Sequence, residues 1–262
     1  MVARHHVWAP GAILLVMLSL VIPAVKDNWN VDAISYARIA HYYQTGQFDL
    51  AVNGYFGPLL SWIAVPALWL GFDGYSATYF AMAVSAIVFV AGAIRFLRGS
   101  GTANEFFIPA GVIIALFAVY WSVAVVTPDL LASGCLLAGL ATLVDDPSKD
   151  LKFRQAIGGA WFGLAVLAKS VMLPVILLAM PVVLILFIRA KLLSLKQAAS
   201  RIAVLSAVMA LIIVPWSILV SVHYERPVLL TSAAINHALV GPSAFHLFHP
   251  SIRTYNTNGI KH

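Results

Sequence analysis

Residues 26–62 read KDNWNVDAISYARIAHYYQTGQFDLAVNGYFGPLLSW and interrupt an otherwise apolar chain. An apolar run from Val7 to Val25 precedes them, and long tracts of Leu, Ala, Val and Ile follow. The interruption holds Lys26, Asp27, Asp32, Arg38 and Asp49 among Trp29, Tyr36, Tyr42, Tyr43, Phe48, Tyr55, Phe56 and Trp62. A polar, aromatic segment of this length must lie outside whatever medium solvates the rest. Where that boundary falls decides the fold.

Composition identifies the medium. The 262 residues are 61% hydrophobic and 10% charged, with a mean hydropathy of +0.92. Soluble domains average about 45–50% apolar and about 25% charged residues. Such a chain cannot bury its apolar surface within its own volume, so lipid must cover it. The reading is an all-α, polytopic membrane protein forming a single membrane domain over residues 1–262. The formal charge of +6 does not signal nucleic acid, because no basic patch interleaves with aromatics. Membrane proteins gather Lys and Arg in cytoplasmic loops for topological reasons. The single cysteine, Cys135 in LLASGCLLAGLATLV, reads as a small packing residue, with no disulfide framework or zinc spacing around it.

A crossing helix needs about 20 apolar residues. The first run, Val7–Val25, follows a basic start, as a signal peptide would. It is longer than the about 7–15 residues of a signal core, and an uncleaved first helix is expected. Further runs cover 75–97, 106–127, 129–144, 156–169, 171–188 and 201–222, giving about seven crossings. Segment 57–71, GPLLSWIAVPALWLG, is short and interrupted by Pro58 and Pro66. It reads as a helix in the interface rather than a crossing.

Charge sets the orientation. Arg4, then Arg95 and Arg98, then Lys149, Lys152 and Arg154, then Arg189, Lys191, Lys196 and Arg201 form four basic clusters. All fall on one side if seven helices cross and 57–71 does not. The positive-inside rule makes that side cytoplasmic. The expectation is a plasma (inner) membrane protein with a cytoplasmic N-terminus. Residues 26–74, the turns near Asp129 and Lys169, and the tail 223–262 then lie outside.

Ionisable residues in or near membrane spans are costly and point to function. On the external side these are Asp27, Asp32, Arg38, Asp49, Asp129 and Lys169. A bland role exists for two of them: Asp129 after Pro128 suits a helix N-terminus, and Lys169 can snorkel to headgroups. Taken in order, DNWNVDAISYARIA, NGYFGPLLSWIAVP, TPDLLASG and GLAVLAKS resemble the GT-C superfamily of membrane glycosyltransferases. The nearest branches are the protein O-mannosyltransferase-like enzymes and the lipid A aminoarabinose or galacturonic acid transferases. The resemblance rests on Asp32 with Tyr36, on Pro58, Leu59 and Trp62, on Asp129, and on Gly163, Leu164, Ala165 and Lys169.

The resemblance implies external juxtamembrane helices roofing an active site at the membrane surface. It implies a sugar donor linked through phosphate to a polyprenyl chain, and a hydroxyl acceptor on a lipid, glycan or protein. Asp32 is then the candidate general base, with Asp27 as its competitor. Lys169 and Arg38, with Arg226 behind them, are candidates for the phosphate; Tyr36, Tyr55, Pro58 and Asp129 complete the substrate-binding set. Several relatives carry a Lys before a Pro-Pro-Leu motif where this chain reads Tyr55-Phe56-Gly57-Pro58-Leu59. Dependence on a divalent metal stays open: His223, His237, His246 and His249 match no ligand spacing. Family members continue beyond the seventh helix, so the expectation is a GT-C-like N-terminal module, with truncation of the external tail 223–262 and completion by a partner subunit both left open. A transporter or a non-catalytic membrane subunit remains the alternative, although a transporter built on repeats would show paired broken helices and only 57–71 is interrupted.

Overall fold

The computed structural model describes residues 9–24, 29–145, 152–225 and 227–228. Among these the chain is all helical, without a strand. The order is α1 (Ala9–Val21, continued by a 3-10 turn at Ile22–Ala24), α2 (Val31–Gln44), α3 (Phe48–Ala51), α4 (Leu59–Trp69) and α5 (Gly74–Gly99). Then come α6 (Asn104–Ala124), α7 (Asp129–Val144), α8 (Lys152–Ala168), α9 (Met172–Arg189) and α10 (Leu195–His223).

Local signals set several of these boundaries. The Asp73 carboxylate accepts the Ser76 amide at 2.8 Å and caps α5, satisfying a donor that the first turn cannot. Ser194 and Gln197 form a reciprocal capping box at the start of α10. Gly71, with φ +88°, makes the tight turn from α4 into α5 that a side chain would resist.

Four helices, α5, α6, α9 and α10, are long and apolar enough to cross a membrane. The expectation of seven crossings is therefore met in part: α1 and α7 are apolar but shorter, and α8 is 17 residues long and opens on Lys152. α4, with 11 residues, reaches only about 16 Å, in keeping with its reading as a non-crossing element.

Small residues bring the helices together. A Cβ on Gly92 would lie 2.5 Å from the Gly134 carbonyl oxygen, and one on Gly134 would lie 2.6 Å from the Phe89 nitrogen. Two turns further along α5, Gly99 faces Val144. The contacts advance in step, so α5 and α7 run parallel with their backbones touching, as in small-residue packing between membrane helices. Gly139 against the Phe162 ring and Gly158 against Thr142 set α8 antiparallel to α7. Gly159 against Leu205 and Gly163 against Ile212 set α10 parallel to α8. The main core includes Met82, Leu131, Cys135, Phe162, Ile176 and Leu205. A second cluster around Leu14, Leu18, Val90 and Ala118 seats α1 against α5 and α6.

Gly134→Leu should therefore lower thermal stability in detergent sharply, by at least the about 1–3 kcal/mol of an overpacked core. Leu178→Ala, at an outward position that is 71% exposed, should leave the melting temperature nearly unchanged. Equal shifts would show that the α5–α7 contact is not a stability determinant.

These directions give the bundle two ends. One collects the start of α1, the end of α7, the start of α8 and the α5–α6 and α9–α10 connections, with Arg95, Arg98, Lys152, Arg154, Arg189, Lys191, Lys196 and Arg201. The other collects residues 29–73, the α6–α7 loop, the α8–α9 link and the end of α10. Among the described residues, Arg38 and Lys169 are the only Arg or Lys there.

Candidate functional site

At this second end, α2 is tied to the loop that enters α7. The Asn30 side-chain amide donates to the Val126 carbonyl at 3.2 Å and accepts from the Val126 amide at 3.1 Å. Next to it, Trp29 stacks on Tyr75 of α5 with ring centroids 4.0 Å apart. The Ser61 hydroxyl donates to the Tyr36 carbonyl at 3.0 Å and fixes α2 to α4. Asp32 follows Asn30 by two residues and Asp129 follows Val126 by three, so the pairing at residue 126 draws both carboxylates toward Tyr36.

Tyr36 records their proximity. It is buried, and its hydroxyl pKa is raised, first by burial, then by the Asp32 and Asp129 carboxylates, and then by Tyr55. The Tyr36 ring meets Phe56 edge-on at 5.0 Å, and Tyr55 meets Phe56 at 4.9 Å. Asn53 holds this aromatic loop by accepting the amides of Tyr55 and Phe56 at 2.6 and 3.0 Å. The loop then runs directly over the end of α8: a Cβ on Gly57 would lie 2.5 Å from the Leu167 carbonyl oxygen. Lys169 leaves α8 at that point, and its ammonium donates to the Asp129 carboxylate.

The Lys169 and Asp129 side chains stay 41% and 36% exposed. An ion pair this open contributes about 0–1 kcal/mol to stability. Its importance lies in position: an ammonium, two carboxylates and a neutral phenol share one accessible corner.

Tyr36 also predicts an alkaline response. Burial favours its neutral form in the folded state, so its contribution is intact below the ordinary tyrosine range near about pH 10. It is lost as pH rises further, because the unfolded chain ionises first. Tyr36→Phe should lose less stability above that pH than wild type, read from melting curves across an alkaline series. Parallel curves would remove Tyr36 from the account.

The structure brings together Asp32, Tyr36, Tyr55, Asp129 and Lys169 from the sequence reading. Pro58 is buried where α4 begins, beside Gly57. Arg38 lies apart: six residues after Asp32, it sits about 120° around the helix. It is exposed and donates to the Tyr42 hydroxyl at 2.7 Å. Asp49 is exposed on α3. Asp27, Arg226, His237, His246 and His249 lie outside the described residues. Among the described residues no group of three or more His, Cys, Asp or Glu is placed to hold a metal ion. The sequence reading missed Asn30, Ser61 and Gly57. Asn30 stands where a helix cap belongs, but it makes no capping bond and spends its amide on a partner 96 positions away.

No family model matches the chain, and no curated protein or solved structure matches it. The four apolar helices point to a membrane-embedded protein.

Proposed function

We propose that the chain is a membrane glycosyltransferase of GT-C type, moving a sugar from a polyprenyl-phosphate donor to a hydroxyl acceptor at the external face of the plasma membrane. The observation that carries this reading is the convergence of Asp32, Tyr36, Asp129 and Lys169 at the end of the bundle poor in cations. The positive-inside rule favours the opposite, arginine-rich end for the cytoplasm; α1 starts at that end, in keeping with a cytoplasmic N-terminus. α1 with its 3-10 turn, α7 and α8 would each reach about 24–26 Å. Modest local thinning of the bilayer then allows seven crossings.

In this reading Asp32 takes the proton of the acceptor hydroxyl as its oxygen bonds to the anomeric carbon. The bond from that carbon to the phosphate oxygen breaks, and polyprenyl phosphate leaves with the electron pair. Positive charge developing on the sugar ring is stabilised by the carboxylates. Lys169 meets the charge growing on the leaving phosphate, and Asp129 holds the ammonium in place. Tyr36 stays neutral between the two carboxylates and adds no third negative charge.

Membranes containing the protein, incubated with labelled polyprenyl-phosphate sugars, test the proposal. Wild type should yield a glycosylated, donor-dependent product. Lys169→Ala should reduce it roughly tenfold to a hundredfold, the cost of losing one charged hydrogen bond. Uptake of labelled solute into vesicles with no glycosyl product would assign the same corner to transport instead.

A further inference from the structure

The opposite end of the bundle carries a separate pocket. A cavity of about 370 Å³ opens between the C-terminal ends of α5 and α7, lined by Ala91, Ile94, Arg95, Arg98 and Asp145. We propose that it binds the phosphate headgroup of an anionic membrane phospholipid.

The charges at the mouth do not cancel. Asp145 is committed to Arg154, whose guanidinium lies 3.1 Å from its carboxylate and also donates to its main-chain oxygen. Among the described residues no carboxylate pairs with Arg95 or Arg98. These two arginines stand three residues apart, so they project from one face about 5–6 Å apart at Cβ. Like charges at that spacing repel, and an anion between them relieves the repulsion. The Arg98 guanidinium sits 5.3 Å from the Phe107 ring centroid, which limits the positions its fork of donors adopts. Guanidinium forks match phosphate oxygens in pairs.

The walls favour a lipid over a soluble anion. Ala91 and Ile94 line the side toward the middle of α5, about 6 Å deeper for Ala91 than Arg95. α5 is long and apolar enough to cross a membrane, so its last turn lies at headgroup level. A phosphate held by the arginines would have its glycerol and first methylenes beside Ala91 and Ile94. Basic pockets between membrane helices bind anionic headgroups in this manner. The pocket owes nothing to the carboxylate and ammonium corner at the other end, and this assignment stands whether or not sugar is transferred there.

The test is lipid retention by full-length protein taken from vesicles of equal phosphatidylglycerol and phosphatidylcholine, read by native mass spectrometry. Each arginine should favour the anionic lipid roughly fivefold, and the pair about twenty-fivefold. Arg95→Gln with Arg98→Gln should bring retention to parity, and Arg98→Gln alone to an intermediate value. Lys191→Gln with Lys196→Gln, which removes as much charge from the same end, should change nothing. Equal loss in both double variants would reduce the effect to diffuse charge attraction and overturn the site. So would the absence of preference in wild type, or displacement of the lipid by millimolar inorganic phosphate. Melting curves confirm that the variants remain folded, and Arg95→Lys with Arg98→Lys should keep a weakened preference.

Discussion

Asp32→Asn should lower sugar transfer by about 10²–10⁴-fold, the range a positioned general base supplies, while membrane insertion and helix content stay as in wild type. Asn keeps the size of the side chain and removes its basicity together with its negative charge. The Asn30–Val126 pair, the Ser61 bond and the Phe56 contact with Tyr36 should all survive the change. The loss should therefore fall on the rate of transfer more than on donor affinity. Asp129→Asn offers the contrast: its carboxylate holds Lys169, so its loss should weaken donor binding as well. Unchanged transfer by Asp32→Asn would falsify the assignment of the base.

Gly57→Val should abolish transfer nearly as completely by a purely geometric route. The main chain at Gly57 rests on the carbonyl oxygens of Leu167 and Ala168, with no room for a β-carbon. Neither backbone can retreat cheaply, since the loop is held by Asn53 and α8 is packed on α7 and α10. The loop must lift, carrying Tyr55 and Phe56 away from Tyr36 and uncovering the approach to Lys169. Strain of about 1–3 kcal/mol is expected, at a loop that packs Phe56 against the edge of the main core. Activity lost in a protein that keeps its helix content, with a melting temperature lowered no further than by Gly134→Leu, is the expected pairing. Full activity in a folded Gly57→Val protein would show that the loop does not form part of the site.

Much of the helical layout was legible because lipid solvation leaves a coarse signature: runs of apolar residues separated by charges. The short element at 57–71 was recognisable from Pro58, Pro66 and its length, and it appears as α4. The basic clusters were readable as one group, and the helix directions place their described members at one end. Helix pairing was not legible. Gly92 and Gly134 look like any other small residues until their backbones meet. Within the site, charged residues in apolar surroundings stood out, which is why Asp129 and Lys169 were found. The periodicity of α2 separates Arg38 from Asp32, but the reading of residues 26–74 as an external loop with interfacial helices set no helix bounds there, so the two were grouped. Asn30 and Gly57 act through backbone contacts across the chain, for which no local pattern exists.

The reciprocal amide pair between Asn30 and Val126 also constrains the order of assembly. Its two halves are separated by 96 positions, so during synthesis the early aromatic segment must wait, unfinished, while the five helices α2–α6 emerge, two of them, α5 and α6, long enough to insert. Only when the chain beyond residue 126 reaches the same surface can the first turn of α2 settle. The corner would therefore close late, after the scaffold around it, and ribosome-bound intermediates shorter than this should leave Trp29 and Tyr75 open to protease or label.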